Sequence, residues 1–197
     1  MKRSTIILLS VAGVLFILVM WVRSMYNGII ETEGTVDQKF ADIQTQYQRR
    51  FDLIPQLVAT VQMNAENEKE IITKVTQYRA GITDAKNAGD IEKMEPMARD
   101  IRTAINLQVE AYPNLKSPDA FRDLQAQLEG TENRIAKARS DYNEAVRGYN
   151  VRIKRFPTNM FNAMFGFEPR ESFKADEGSD KAVDVREEFG KGKNAAE

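Results

Sequence analysis

Arg49-Arg50-Phe51-Asp52-Leu53-Ile54-Pro55-Gln56-Leu57-Val58 decides the fold. Asp52 is a good N-cap, and Pro55 then falls in a first helical turn, where a missing N–H costs little. Inside a helix the same proline would clash with the preceding turn. The stretch therefore reads as a corner: one helix ends near Arg50 and another begins near Leu53. A continuous helix kinked at Pro55 is the alternative.

Apolar residues recur at helical spacing on both sides of the corner. Upstream they are Tyr26, Ile29, Val36, Phe40, Ile43 and Tyr47; downstream they are Ile54, Leu57, Val61, Ile71, Val75, Tyr78 and Ile82. Gly81 to Asp90 reads as a connection. A third stripe runs from Met94 to Tyr112, with Pro96 either at its start or kinking its second turn. Ser117-Pro118-Asp119 is a strong helix start, and strict three- and four-residue steps then run from Phe121 to Ile153. Phe156-Pro157 ends that pattern.

Outward from these stripes, Ile6–Val22 is an uncharged apolar run, close with its flanks to the ~20 residues that cross a hydrocarbon core. Trp21 and Tyr26 sit where an aromatic belt would. A cleaved signal peptide is the rival reading, but no clear A-x-A-like site follows. Lys2 and Arg3 precede the run, and Arg23 alone follows closely, which puts the N-terminus in the cytoplasm and the bulk outside it.

The expected protein is all-α: an N-terminal transmembrane helix (residues 1–25), then an antiparallel up-down-up-down four-helix bundle (26–157). Its helices are expected at about 26–50, 53–82, 91–112 and 118–155. An apolar membrane-proximal segment (158–173) and a disordered polar tail (174–197) follow.

RRFDLIPQLV closely resembles the hallmark of the LemA family of bacterial membrane-anchored proteins. The likeness continues in order through AYPNLK (Ala111–Lys116), LEGTENRIAKARSDYNEAV (Leu128–Val146), YNVRIKRFPTN (Tyr149–Asn159) and FGF (Phe165–Phe167). The resemblance implies a single N-terminal membrane helix and a four-helix bundle; the expected location is the bacterial inner membrane. It brings no established biochemical activity.

Composition narrows the chemistry. The formal net charge is -1, which argues against a strongly basic nucleic-acid binder. The chain has no Cys and no His, so thiolate chemistry, the commonest general base and the commonest transition-metal ligand are excluded. No phosphate loop, nucleophile elbow or metal motif is present. Catalytic residues, metal and cofactor are expected to be none.

Three groups remain as candidates. Lys154, Arg155, Phe161, Met164, Phe165 and Phe167 follow a helix that returns to the membrane, and are read as lipid contacts or as a cover for the bundle base. Arg49, Arg50 and Asp52 are read as a docking corner or as local turn chemistry. Glu33 and Glu68, each some 16 to 17 residues below the corner, would share a layer with Arg99 and Arg134. That layer reads as a register-fixing ion pair, or else as an acid/base or cation site.

The expected function is a non-enzymatic, membrane-anchored interaction scaffold. Its partners are the lipid bilayer, an unidentified membrane or envelope protein and a homo-oligomer, with no nucleic acid. The alternatives are a membrane-shaping oligomer using Phe161–Phe167 and an enzyme or cation-binding bundle using Glu33 and Glu68.

Overall fold

A single helix, α1 (Arg3–Thr60), runs from the apolar N-terminal stretch into the core without interruption. The computed structural model describes residues 3–61, 65–111 and 118–174, which are mostly helical with no strand among them. After α1 come α2 (Ala65–Asp84), α3 (Ala88–Glu92), α4 (Glu95–Ala111), α5 (Pro118–Lys154) and α6 (Thr158–Phe165). Asn64, the 112–117 connection and the tail from 175 onward lie outside the described residues.

The corner expected at Arg50 to Leu53 is therefore corrected: Pro55 lies inside α1, and the chain turns after Thr60. The reason is burial. Phe51, Leu53, Ile54, Leu57 and Val58 are all buried around Pro55. Each such side chain contributes ~1.5–3 kcal/mol, against ~3 kcal/mol for a proline in a helix interior. Asp52 caps nothing; its backbone carbonyl accepts from Gln56 Nε2 at 3.1 Å and its carboxylate pairs with Arg79. The second helix is consequently shorter than expected. The expected helix from 91 is divided into α3, capped by Asn87, and α4, which starts at Glu95 with Pro96 in its first turn.

One apolar core joins these elements. Ile29, Val36, Ile43, Tyr47 and Phe51 of α1 meet Ile71, Val75, Tyr78 and Ile82 of α2, Ala98, Ile101 and Ile105 of α4, and Ile135, Tyr142, Val146, Tyr149 and Ile153 of α5. The α1–α5 seam is the most extensive. Gln44 of α1 donates to Ile82 O at 2.9 Å and to Ala85 O at 3.1 Å, satisfying carbonyls at the C-terminal end of α2. By contrast, side chains from Ile6 to Trp21 stand exposed along α1. This stretch is long and apolar enough to cross a membrane.

Candidate functional site

Tyr47, Glu95 and Arg139 form a polar knot at the edge of the core. Tyr47 is fully buried, and its hydroxyl donates to Glu95 Oε1 at 2.5 Å. Arg139 donates to both, and its guanidinium lies 5.6 Å from the Tyr47 ring and 4.9 Å from the Phe173 ring. Burial and then the Glu95 charge push the Tyr47 phenol well above its usual range; the same two causes raise Tyr78. Burial works to lower the Arg139 pKa, but Tyr47 and Glu95 outweigh it and hold the guanidinium above its ordinary value. The knot ties α1, α4 and α5 in one register. Neither Glu95 nor Arg139 was singled out in the sequence; Arg139 lies one position from the regular stripe of α5, which was the available signal.

The expected corner trio divides. Arg50 is buried, and its guanidinium grips Glu132 of α5 through two bonds of 2.7 and 3.2 Å. Arg102 of α4 reaches the same carboxylate. Arg49 is exposed, and Asp52 pairs with Arg79 of α2. Arg50, Arg102 and Glu132 are among the residues lining a groove of about 420 Å³ between α1, α4 and α5.

The Glu33–Glu68 layer does not form. Because the chain turns after Thr60, Glu68 lies exposed in the first turn of α2, far along the axis from Glu33. Arg99 and Arg134 are exposed as well. Glu33 instead pairs with Arg170 at 2.8 Å, and Asp37 lies 3.6 Å from the same guanidinium. Among the described residues no group of three or more Asp or Glu is placed to hold a metal ion.

Residues 166–174 form an extended strap against α5, running opposite to it. Asn150 Nδ2 donates to Arg170 O, and Arg170 N donates to Asn150 Oδ1, both at 2.9 Å. One step along, Asn143 Nδ2 donates to Phe173 O at 3.0 Å, and Phe173 N donates to Asn143 Oδ1 at 2.9 Å. Seven helical residues rise ~10.5 Å, and three extended residues span ~10 Å, so the two asparagines match the strap's backbone repeat. Tyr142 donates to Glu171 O at 3.0 Å, and Phe173 is buried against the Tyr142 ring, 5.4 Å away.

At the base, the six expected lipid contacts separate into two groups. Phe161 stacks on Phe165 at 6.1 Å, and Phe165 and Phe167 pack against Tyr26 of α1 at 5.1 and 5.7 Å. These three are partly covered, whereas Met164, Lys154 and Arg155 are exposed. Phe156 and Met160, outside the six, are 80% and 68% exposed. Arg152 of α5 crosses α1 at Gly28, where a Cβ would meet its guanidinium. With Arg23, Asn27 and Glu31 it lines a shallow hollow at the end of the apolar run.

A family model described as the LemA family matches residues 39–186. The chain is similar to Protein LemA of Metamycoplasma hominis, 25% identical over 138 residues, 68% of this chain and 61% of that protein. It is similar to magnetosome protein MamQ 2 of Paramagnetospirillum magneticum, 35% identical over 75 residues, 38% of this chain and 28% of that protein. A third relative is magnetosome protein MamQ of Magnetospirillum gryphiswaldense, 34% identical over 65 residues, 33% of this chain and 24% of that protein. The chain thus spans less than two thirds of the length of each of these relatives.

Proposed function

We propose that this chain, which belongs to the LemA family, is a membrane-rooted interaction scaffold without catalytic activity, acting through protein and lipid contacts. The observation that carries the reading is the unbroken α1, whose exposed apolar N-terminal part continues as the buried spine of the core. Such an element transmits position; it presents a rigid body at a set distance from the bilayer. In this reading α1 climbs away from the membrane, α2 descends, α3 and α4 climb and α5 returns, giving an up-down-up-down bundle in the inner membrane. The N-terminus is cytoplasmic and the bundle stands on the other side. The enzyme and cation alternatives lose their geometric basis once Glu33 and Glu68 stand apart.

Two experiments test this. The chain has no native Cys, so Lys137→Cys in intact cells reports the side directly. Labelling by a membrane-impermeant maleimide without lysis is expected; labelling only after lysis reverses the topology. For the scaffold itself, a photo-crosslinking residue at Gln125, on the groove, is expected to give a discrete protein adduct that position 137 does not. Absence of adducts from Gln125, from exposed Arg49 of α1 and from exposed Glu144 of α5 alike would overturn the reading.

A further inference from the structure

α1 serves as a ruler for depth. Tyr26 is four residues past Val22, about 6 Å along the helix axis, and Gly28 about 9 Å. Phe165 and Phe167 touch Tyr26, and Arg152 lies against Gly28, so α6 and the end of α5 stand at the height where the apolar run gives way to water. The inner side of α6 is fixed there by Phe161 and Phe165 and by Asn162, whose Nδ2 donates to Ile153 O at 2.6 Å. Among the described side chains of α6, Asn159, Met160 and Met164 are exposed, the two methionines one helical turn apart, with Phe156 a further four residues back. Lys154 and Arg155 stand immediately before them, exposed.

We propose that Phe156, Met160 and Met164 form a second membrane contact, seated at the headgroup–acyl boundary of an anionic bilayer, with Lys154 and Arg155 on its phosphates. Three features choose a bilayer over a protein partner. The height matches the end of the apolar run, the exposed methionines stand on a short helix at that level with Phe156 just before it, and the exposed charges immediately preceding them are cations. The surface differs from the aromatic set legible in the sequence, because Phe161, Phe165 and Phe167 are spent on holding α6 to α1. The inference rests on the membrane-rooted part of the proposed function and is independent of any protein partner.

The test uses the full chain in vesicles of phosphatidylcholine with or without phosphatidylglycerol. Single cysteines at Met160 and Met164 carry a nitroxide, with Lys137→Cys as the aqueous reference. Labels at 160 and 164 are expected to be accessible to oxygen and shielded from a water-soluble nickel chelate, and the label at 137 the reverse. Lys154→Gln with Arg155→Gln is expected to shift the docked–free equilibrium by on the order of 30-fold in phosphatidylglycerol vesicles, from two basic contacts, and little in phosphatidylcholine alone. Nickel accessibility at 160 and 164 equal to that at 137 overturns the proposal. So does dipolar broadening between labels that rises with protein-to-lipid ratio, which would mean that a second copy covers the face. Flotation of the labelled chain with the vesicles reports the α1 span separately, so loss of the span and loss of this contact are distinguishable.

Discussion

Asn150 binds Arg170 as a neighbouring β-strand would, its amide donating to the Arg170 carbonyl and its Oδ1 accepting the Arg170 N–H, each at 2.9 Å. Asn143 repeats the arrangement at Phe173, so two side chains on a helix supply the ladder that holds the strap.

Asn150→Ala removes both bonds and leaves two strap backbone groups to find water. The expected cost is about 1–3 kcal/mol, with a similar value for Asn143→Ala. Hydrogen exchange by mass spectrometry checks this. Lost protection should centre on residues 166–174 and should spread along α5 only in the double variant.

Arg139→Met leaves Glu95 and Tyr47 facing each other without a cation. Both charged side chains are about a quarter exposed, 22% for Arg139 and 28% for Glu95. We therefore expect a loss of roughly 2–4 kcal/mol, at or below the usual range for a broken buried pair. Urea denaturation measures it, and pairing Arg139→Met with Glu95→Met should recover part of the loss. A double variant as unstable as the sum of the singles would mean that the three groups do not act together.

Stability should fall on the alkaline side. Burial, with Glu95 adding to it, raises the Tyr47 and Tyr78 pKa values in the folded chain above the unfolded value of about 10. A raised folded pKa gives stability that is complete below the unfolded pKa and lost as pH climbs from there toward the folded one. The melting temperature should therefore begin to drop near pH 10, with phenolate absorbance from these two tyrosines emerging only as the chain unfolds. Tyr47→Phe should flatten the alkaline drop while lowering stability at neutral pH, because Glu95 and Arg139 lose their shared hydroxyl.

The glycines separate by position. Gly130 and Gly148 lie within α5 with open space where a Cβ would go, so Ala at each should add about 0.5–1 kcal/mol. Gly166 closes α6 at φ +72°, the left-handed region, and Ala there should cost about 1 kcal/mol or more. Thermal melts of the three single variants give the signs.

What could be read in advance was whatever repeats. The apolar run and the α5 stripe of Ile135, Tyr142, Tyr149 and Ile153 follow simple periods, and the structure has them as read. The corner was misplaced by some ten residues because Asp52 and Pro55 carry a strong local start signal. Local preference gave way to the burial of Phe51, Ile54, Leu57 and Val58 around them. Every height counted from that corner shifted with it, which is why Glu33 met Arg170 and not Glu68. The strap has no period of its own. Its mark lay elsewhere, in two asparagines seven residues apart on α5, Asn143 and Asn150. The knot escaped for a related reason: Tyr47 sits on its stripe, but Glu95 and Arg139 look like surface charges until α4 and α5 are set beside α1.

Seen as mechanics, the unbroken α1 of the proposed membrane-rooted protein is a lever with its fulcrum in the bilayer. About 55 Å of helix lies beyond Val22 at ~1.5 Å per residue. Transmembrane segments change tilt to suit local hydrocarbon thickness, and a change of ~10° would sweep the far end of such a rod sideways by about 10 Å. On the proposed membrane-rooted reading, with α1 unbroken from apolar run to core, thinning or thickening of the membrane would reach the distal groove as displacement.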